Sequence, residues 1–411
     1  MGKTTLVQHA FPDIPLLRFD SPVERNVYVK MTPAQWISQY PTAILDEIQK
    51  APEVLETLKS CYDQAEHLKY VLLGSSQIML LQGVRESLAG RVALQKMVAL
   101  TIPELMSDSA HSTSQSQFMK LIANVSEESV QQFISQIGAA HRQLSSNDAS
   151  SRQWFEYYLR FGGMPALTHE EMNDASRMEW LRDYHELYLQ RDLADLARLA
   201  DLTLFITAQT IAALRTGQTL QFSSLANAAG IDAKTAKRYL HYLELSYQVH
   251  LLRPWFRNEE KRLSKMSKLH FLDPGVRRGI IGRTGNVDGA EFETAVFSEL
   301  YKQSSIAKAM VDFYHLRTSD GREVDVLIES DAGYIAIECK LSEHFCAKDA
   351  RHLKNLQSLL DKPLLLAMVV NMDTEVHSFK SVPGIDCPAV SVPAWRLFGT
   401  ESSKSLQREL F

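Results

Sequence analysis

Over the first hundred residues, short apolar runs alternate with stretches whose apolar positions recur at helical spacing. That alternation predicts a parallel sheet layered with helices. Residues 3–10 read as a helix and Ile14-Pro15-Leu16-Leu17-Arg18-Phe19 is a short apolar run, while Ala43-Ile44-Leu45 and Tyr70-Val71-Leu72-Leu73 read as two buried strands. Between the last two strands, residues 52–63 place Leu55, Leu58 and Tyr62 on one face behind Pro52, as a helix with proline in its first turn does. The first of these two strands runs into Asp46-Glu47 and the second into Gly74-Ser75-Ser76. In an open parallel sheet the ligand sits at the carboxyl ends of the strands, so these polar ends are expected to share one edge.

Beyond this region the pattern turns helical. Leu121, Ile122, Val125, Val130, Phe133 and Ile134 form apolar stripes over 118–143, between serine-rich stretches at 107–117 and 143–151 that read as loops. Phe161-Gly162-Gly163-Met164-Pro165 is a strong break. A long helix is expected over about 174–199, with Tyr184, Leu187, Tyr188, Leu193 and Leu196 in its core. Residues 222–240 have helix-turn-helix spacing: a helix of small residues ends at Gly230, and Asp232 caps a second helix whose leading face carries Lys234, Lys237 and Arg238. A strand at 249–254 would supply the wing. Farther on, Phe292, Val296 and Leu300 recur every four residues in a helix that carries Glu293 beside its apolar face. A hairpin turning at Ser319-Asp320-Gly321 follows, and then a strand over 334–340.

A chain of 411 residues exceeds what one core usually spans. The pattern divides it into 1–110 (α/β), 111–202 (a helical connector), 203–268 (winged-helix-like) and 269–411 (α/β). With 45% hydrophobic and 23% charged residues, the chain is neither disordered nor fibrous. A net charge of −5 excludes a uniformly basic surface, so nucleic-acid contact must be local. The candidate region is 233–268, where nine Lys and Arg stand against three Asp and Glu. Such a module serves DNA contact, with Lys234, Lys237 and Arg238 on phosphates, or protein–protein contact. Four cysteines without a CxxC pair, no membrane-length apolar run and no signal core give the expectation of a cytoplasmic protein without a membrane partner.

Two constellations carry chemistry. Gly2-Lys3-Thr4-Thr5 has the form of the end of a phosphate-binding loop entering a helix, with Lys3 on phosphate and Thr4 on Mg²⁺. The full pattern needs a glycine five positions before Gly2, and a strand that would lie beside that of Asp46. Asp46 suits a Mg²⁺ site and Glu47 the orientation of attacking water. Ser75 or Ser76 falls where AAA-type ATPases, which this stretch resembles, keep a polar residue that senses the γ-phosphate, and Arg85 and Arg91 could supply a finger to a neighbour's nucleotide in a homo-oligomer. In the second constellation Glu338 and Lys340 leave one face of a strand, with Asp325 on the paired strand and Glu293 on the helix. Asp325 and Glu338 could hold Mg²⁺, and Lys340 could stabilise charge on a phosphodiester. Gln357 is a candidate accessory residue.

These motifs resemble known families. Leu45-Asp46-Glu47 is similar to the Walker B segment of AAA-type P-loop ATPases. The set Glu293, Asp325, Glu338-x-Lys340 resembles the PD-(D/E)xK motif of restriction-endonuclease-like and Holliday-junction-resolvase-like nucleases, a fold that also survives as an inactive scaffold. Together with Leu73-Gly74-Ser75-Ser76, Leu88-Ala89-Gly90-Arg91, Gly162-Gly163-Met164-Pro165 and Glu323-Val324-Asp325, they resemble a prokaryotic ATP-binding family of AAA type with a C-terminal domain of unknown function. The resemblance implies ATP and Mg²⁺ as cofactors, with Gly2, Lys3, Thr4, Thr5, Asp46, Ser75, Ser76 and Arg91 at the nucleotide and Glu47 catalytic. It also implies a link to DNA. Three readings stay open: an ATPase coupled to a DNA-associated nuclease-like module, an ATP-dependent switch whose C-terminal domain only binds a partner, and a truncated copy without nucleotide activity.

Overall fold

The computed structural model describes residues 2–74, 88, 90–107, 114–140, 146–169, 171–189, 202–318, 320–379 and 382–400. Ser75, Ser76, Arg85 and the stretch 190–199 expected to be helical lie outside these described residues. The chain divides into two compact units, Met1–Val98 with Tyr188–Leu202, and Ala99–Leu187 with Thr203–Phe411.

The first unit opens with α1 (Lys3–Ala10), entered through Gly2 at φ 84°, a left-handed conformation that glycine adopts without strain. It continues through β1 (Leu16–Arg18), α2 (Pro22–Lys30), α3 (Pro33–Gln39), β2 (Thr42–Asp46), α4 (Pro52–Gln64) and β3 (Lys69–Leu72). The strands lie in the order β1-β2-β3, and both pairings are parallel, as the alternation predicts. Ala43, Ile44 and Leu45 of β2 are all fully buried, which a parallel strand covered on both faces requires. Pre-ordered starts set the helices around it: Ser21 caps α2, and Thr32 with Gln35 forms a capping box on α3. α4 buries Val54, Leu55, Leu58 and Cys61 in a core with Leu17, Phe19 and Trp36. Tyr62, expected on that face, is exposed instead. The strand of Asp46 is hydrogen-bonded on both sides, so the expectation of a further strand beside it is corrected: any additional strand must join at an edge.

In the second unit, α5 (Ile102–Met106) precedes α6 (Gln117–Ile122) and α7 (Glu127–Ala140). The single helix expected over 118–143 is thus two, because Ser126 and Ser129 exchange hydrogen bonds that start a new helix. α8 (Ser146–Phe161) begins inside the serine-rich stretch expected to be a loop. Burial of Trp154, Phe155 and Tyr158, with an Arg396–Asp148 ion pair at 3.2 Å, outweighs the local preference. Gly162, at φ 72°, ends it. The peptide of Gly163 then bonds in both directions, donating to Asp273 Oδ2 at 2.8 Å and accepting from the Leu100 N–H at 2.8 Å. After α9 (Asp174–Asp183) comes a π-helical turn, Tyr184–Leu189. Leu187, expected in the core, is 64% exposed there, whereas His185 is buried against Gln209.

The remainder builds one sheet. α10 (Leu202–Leu214), β4 (Gln218–Thr219), α11 (Phe222–Ala229), α12 (Ala233–Leu245), β5 (Val249–Pro254), α13 (Glu259–Ser264) and β6 (Lys268–Phe271) lead to α14 (Pro274–Ile281) and α15 (Gly289–Ile306). Then come β7 (Asp312–Arg317), β8 (Glu323–Glu329), β9 (Tyr334–Cys339), β10 (Leu364–Asn371), β11 (His377–Ser378), β12 (Ala389–Pro393) and α16 (Ala394–Phe398). The nine strands run β11-β12-β10-β9-β8-β7-β5-β6-β4. The hairpin β7–β8 and the antiparallel β8–β9 pair form as expected, and a parallel β5–β7 contact makes the ribbon after α12 continuous with them. Gly230, at φ 67°, ends α11, and Asp232 accepts the N–H groups of Lys234 and Thr235 to start α12, both as expected. Phe292, Val296 and Leu300 of α15 are fully buried.

Candidate functional sites

At the edge of the first sheet, Thr4 in the first turn of α1 donates from Oγ1 to Oδ2 of Asp46 at the end of β2, at 3.0 Å. Burial raises the Asp46 pKa; the hydrogen bond from Thr4 opposes that shift, and the charge of Glu47 adds to it. Glu47 follows at φ 58°, a strained left-handed conformation for a residue with a Cβ. Its carboxylate accepts from the Gln49 amide, and the next residue, Ile48, donates its N–H to Leu73 O at 3.2 Å. The fold therefore gathers Thr4, Asp46 and Glu47 at one end of the sheet, with Gly2, Lys3 and Thr5 in or next to the same helical turn. A threonine hydroxyl and a carboxylate already in contact are a donor set suited to Mg²⁺ with phosphate, and the first N–H groups of α1 suit phosphate oxygens. Arg91 instead ion-pairs with Asp63 of α4 at 2.7 Å, both groups part-exposed.

In the second unit, β8 and β9 bring Asp325 and Glu338 to neighbouring positions, one step beyond the Val326–Ile337 pair. Lys340 Nζ lies 2.7 Å from Glu338 Oε2 and 3.9 Å from Asp325 Oδ2, and Glu293 reaches the same centre from α15. All four residues anticipated from sequence thus converge. What the sequence does not reveal is Lys268, the first residue of β6 and counted there among the surface bases. Its side chain is only 3% exposed, and its Nζ lies 2.6 Å from Glu293 Oε1, 2.9 Å from Glu323 Oε1 and 3.3 Å from Asp325 Oδ1. Burial pulls the ammonium pKa down, and Glu293, Asp325 and Glu323 more than reverse it. Glu293 and Glu338 are both pushed up to about 8, first by burial and then by the charge of Asp325. His270, held neutral by burial and by Lys268, sits 3.7 Å from Glu293. Asp325 Oδ2 accepts the Cys339 N–H at 2.9 Å. Glu338 Oε1 is buried without a hydrogen-bond donor among the described residues, and His352 Nδ1 is 3.6 Å away.

Tested as a Mg²⁺ site, this centre leaves two buried oxygens without a hydrogen bond, Glu338 Oε1 and Glu293 Oε1, while an ammonium already sits between three of its carboxylates. Among the described residues no group of three His, Cys, Asp or Glu side chains is arranged to hold a metal ion. The expectation that Asp325 and Glu338 hold Mg²⁺ is therefore not matched by the donor set. Gln357 is also displaced from the expected role: it bonds Lys362 O and the Leu364 N–H, tying a loop together.

On α12, Lys234, Lys237 and Arg238 are exposed. The buried face, Ala236, Tyr239, Leu240 and Leu243, packs inward. Of the bases counted over 233–268, Arg262 is buried in an ion pair with Glu329 at 2.8 Å, so with Lys268 it does not contribute to a basic surface. No helix among the described residues is long and apolar enough to cross a membrane.

Residues 1–106 match a family model described as an AAA domain. Residues 152–286 and 288–390 match models described as domains of unknown function, DUF8612 and DUF4143. The chain thus combines an N-terminal stretch of AAA-domain type with two stretches of unknown function. Uncharacterised proteins of Mycobacterium tuberculosis and Mycobacterium bovis are each 25% identical to it over 348 residues, covering 82% of this chain and 68% of theirs. A Walker-type ATPase of Pyrococcus abyssi aligns at 16% identity with a TM-score of 0.36, over 68% of this chain and 75% of that one.

Proposed function

We propose that the first unit binds and hydrolyses ATP with Mg²⁺, and that the second unit is a nuclease-like, DNA-associated module worked by that cycle. The observation that carries the ATP reading is the 3.0 Å hydrogen bond between Thr4 and Asp46 beside a glycine-entered helix. In this reading Thr4 and Asp46 hold Mg²⁺, the α1 N–H groups and Lys3 hold phosphate, and Glu47 orients water. The AAA-domain match over the same residues supports it. Calorimetric titration with Mg·ATP tests it. Binding in the micromolar range, about −8 kcal/mol, is expected for the unaltered chain. Thr4→Val weakens it, while Glu47→Gln retains binding and loses turnover. An unaltered chain that takes up no nucleotide refutes the reading.

For the second unit, exposed Lys234, Lys237 and Arg238 on α12 support DNA contact of winged-helix type, and the convergence of Glu293, Asp325, Glu338 and Lys340 supports a restriction-endonuclease-like framework. A second reading, a switch whose C-terminal unit binds without cutting, is favoured by one specific observation: the Lys268 ammonium among the carboxylates.

A further inference from the structure

We infer that Lys268 is the resident cation of the C-terminal carboxylate centre and that this centre is closed to divalent metal ions. An ammonium has three donors and no acceptor. Glu293, Glu323 and Asp325 supply three oxygens at 2.6, 2.9 and 3.3 Å, which completes its coordination. These oxygens come from α15 and β8, the elements that a nuclease-like centre would turn toward a metal. Two further oxygens are engaged as well: Asp325 Oδ2 by the Cys339 N–H and Glu338 Oε2 by Lys340. Mg²⁺ requires near-octahedral oxygen ligands at about 2.1 Å, and Ca²⁺ requires six to eight oxygens at about 2.4 Å. Two buried oxygens of the centre carry no hydrogen bond, Glu338 Oε1 and Glu293 Oε1, and the second already faces the Lys268 ammonium at 2.6 Å, so an ion bridging them would meet that ammonium.

Nor does the lysine have an easy way out. Lys268 pairs with Leu252 of β5 and Thr219 of β4, so its Cα is fixed by hydrogen-bonded neighbours on both sides. A metal entering between Asp325 and Glu338 would stand beside a buried like charge, where low dielectric makes repulsion strong. The centre is thus an internal ion-pair cluster that orders α15, β6 and β8 around one another, and metal-dependent phosphodiester cleavage does not occur there. This inference stands whether or not the first unit turns over ATP.

Iron-directed backbone cleavage of the full chain tests it. Fe²⁺ replaces Mg²⁺, ascorbate and peroxide generate radicals at any bound iron, and the fragments are mapped. The unaltered chain is expected to be uncut beside Asp325 and Glu338, with Lys268→Ala cut there at least about tenfold above that background once the like charge is gone. Cutting near Asp46 with Mg·ATP competition is scored separately and reports only on the nucleotide reading. Fragments ending at β8 or β9 in the unaltered chain overturn the inference. So does a folded Lys268→Ala that stays uncut, because the ammonium would then not be what excludes metal. Should Lys268→Ala fail to fold, Lys268→Gln, which keeps hydrogen bonds to the carboxylates, takes its place under the same criteria.

Discussion

Gly163→Ala is expected to unfold the second unit at markedly milder conditions, and the structure sets the size of the effect. A Cβ on Gly163 would lie 2.0 Å from Leu100 O and 3.0 Å from Leu100 C, both backbone atoms that no rotamer change can move aside. Relief requires the 99–102 segment or the chain after α8 to shift by more than an ångström. Either shift breaks the Leu100 N–H bond to Gly163 O and the Gly163 N–H bond to Asp273 Oδ2, each 2.8 Å. The first is a neutral bond worth about 1 kcal/mol and the second a bond to a buried carboxylate worth about 2 kcal/mol, so with residual strain the loss is about 3–4 kcal/mol. At about 2 °C per kcal/mol for a unit of this size, Tm falls by about 6–8 °C. Tryptophan fluorescence during thermal or guanidinium unfolding is the assay, since Trp154, Trp180, Trp255 and Trp395 report on this unit and only Trp36 on the other. Gly285→Ala, where a Cβ meets nothing within 4 Å, is the matched control. A Gly163→Ala protein that melts with Gly285→Ala would sink the reasoning.

Other consequences are equally direct. Glu291 bonds Arg277 at 2.6 Å and Arg278 at 3.2 Å with its side chain 3% exposed, so Glu291→Gln strands two buried guanidinium groups and costs about 3–5 kcal/mol, read by the same unfolding assay. Burial holds the His315 imidazole down at about 4, below its ordinary value near 6.5. A depressed folded pKa contributes stability above pH 6.5 that is lost as pH falls through 4, by up to about 3 kcal/mol. His315→Gln should flatten that acid slope, and an unchanged slope would assign it to other groups. Replacing Lys234, Lys237 and Arg238 with alanine leaves Tm unchanged and lowers the salt dependence of duplex-DNA binding by roughly one unit per side chain. Equal salt slopes in a fluorescence-anisotropy titration would place the DNA contact elsewhere.

Much of this architecture is legible in the sequence where the signal is local. The apolar run before Asp46, the Gly230 stop with its Asp232 cap, and the four-residue recurrence of Phe292, Val296 and Leu300 each specify an element within a few residues. The convergence of Glu293, Asp325, Glu338 and Lys340 is also readable, because strand alternation fixes which side chains share a face. The errors arise where distant contacts decide. Residues 146–151 carry loop-forming serines, yet they become helix because Arg396, far along the chain, pairs with Asp148. Leu187 fits a helical stripe but lies on a π-helical turn, which rotates it outward. Lys268 is the instructive miss. Nothing near it in sequence separates it from Lys261 or Lys265, and its carboxylate partners lie 25 to 57 residues away, beyond any local pattern.

The two candidate sites differ in how their carboxylates are compensated, and that difference organises the functional reading. Asp46 is met by the neutral hydroxyl of Thr4, and the neighbouring acid Glu47 adds to the burial that raises its pKa. In the second site four carboxylates, Glu293, Glu323, Asp325 and Glu338, are interleaved with the ammonium groups of Lys268 and Lys340. There a further cation would crowd ammonium groups already in place, and breaking a buried pair to make room is costly. Burial sharpens the contrast, because Lys268 lies too deep for water to replace the partners it would lose. Any Mg²⁺ requirement of the whole chain is therefore expected to trace to Asp46, with the second unit acting through its surface and its ordered ion-pair core.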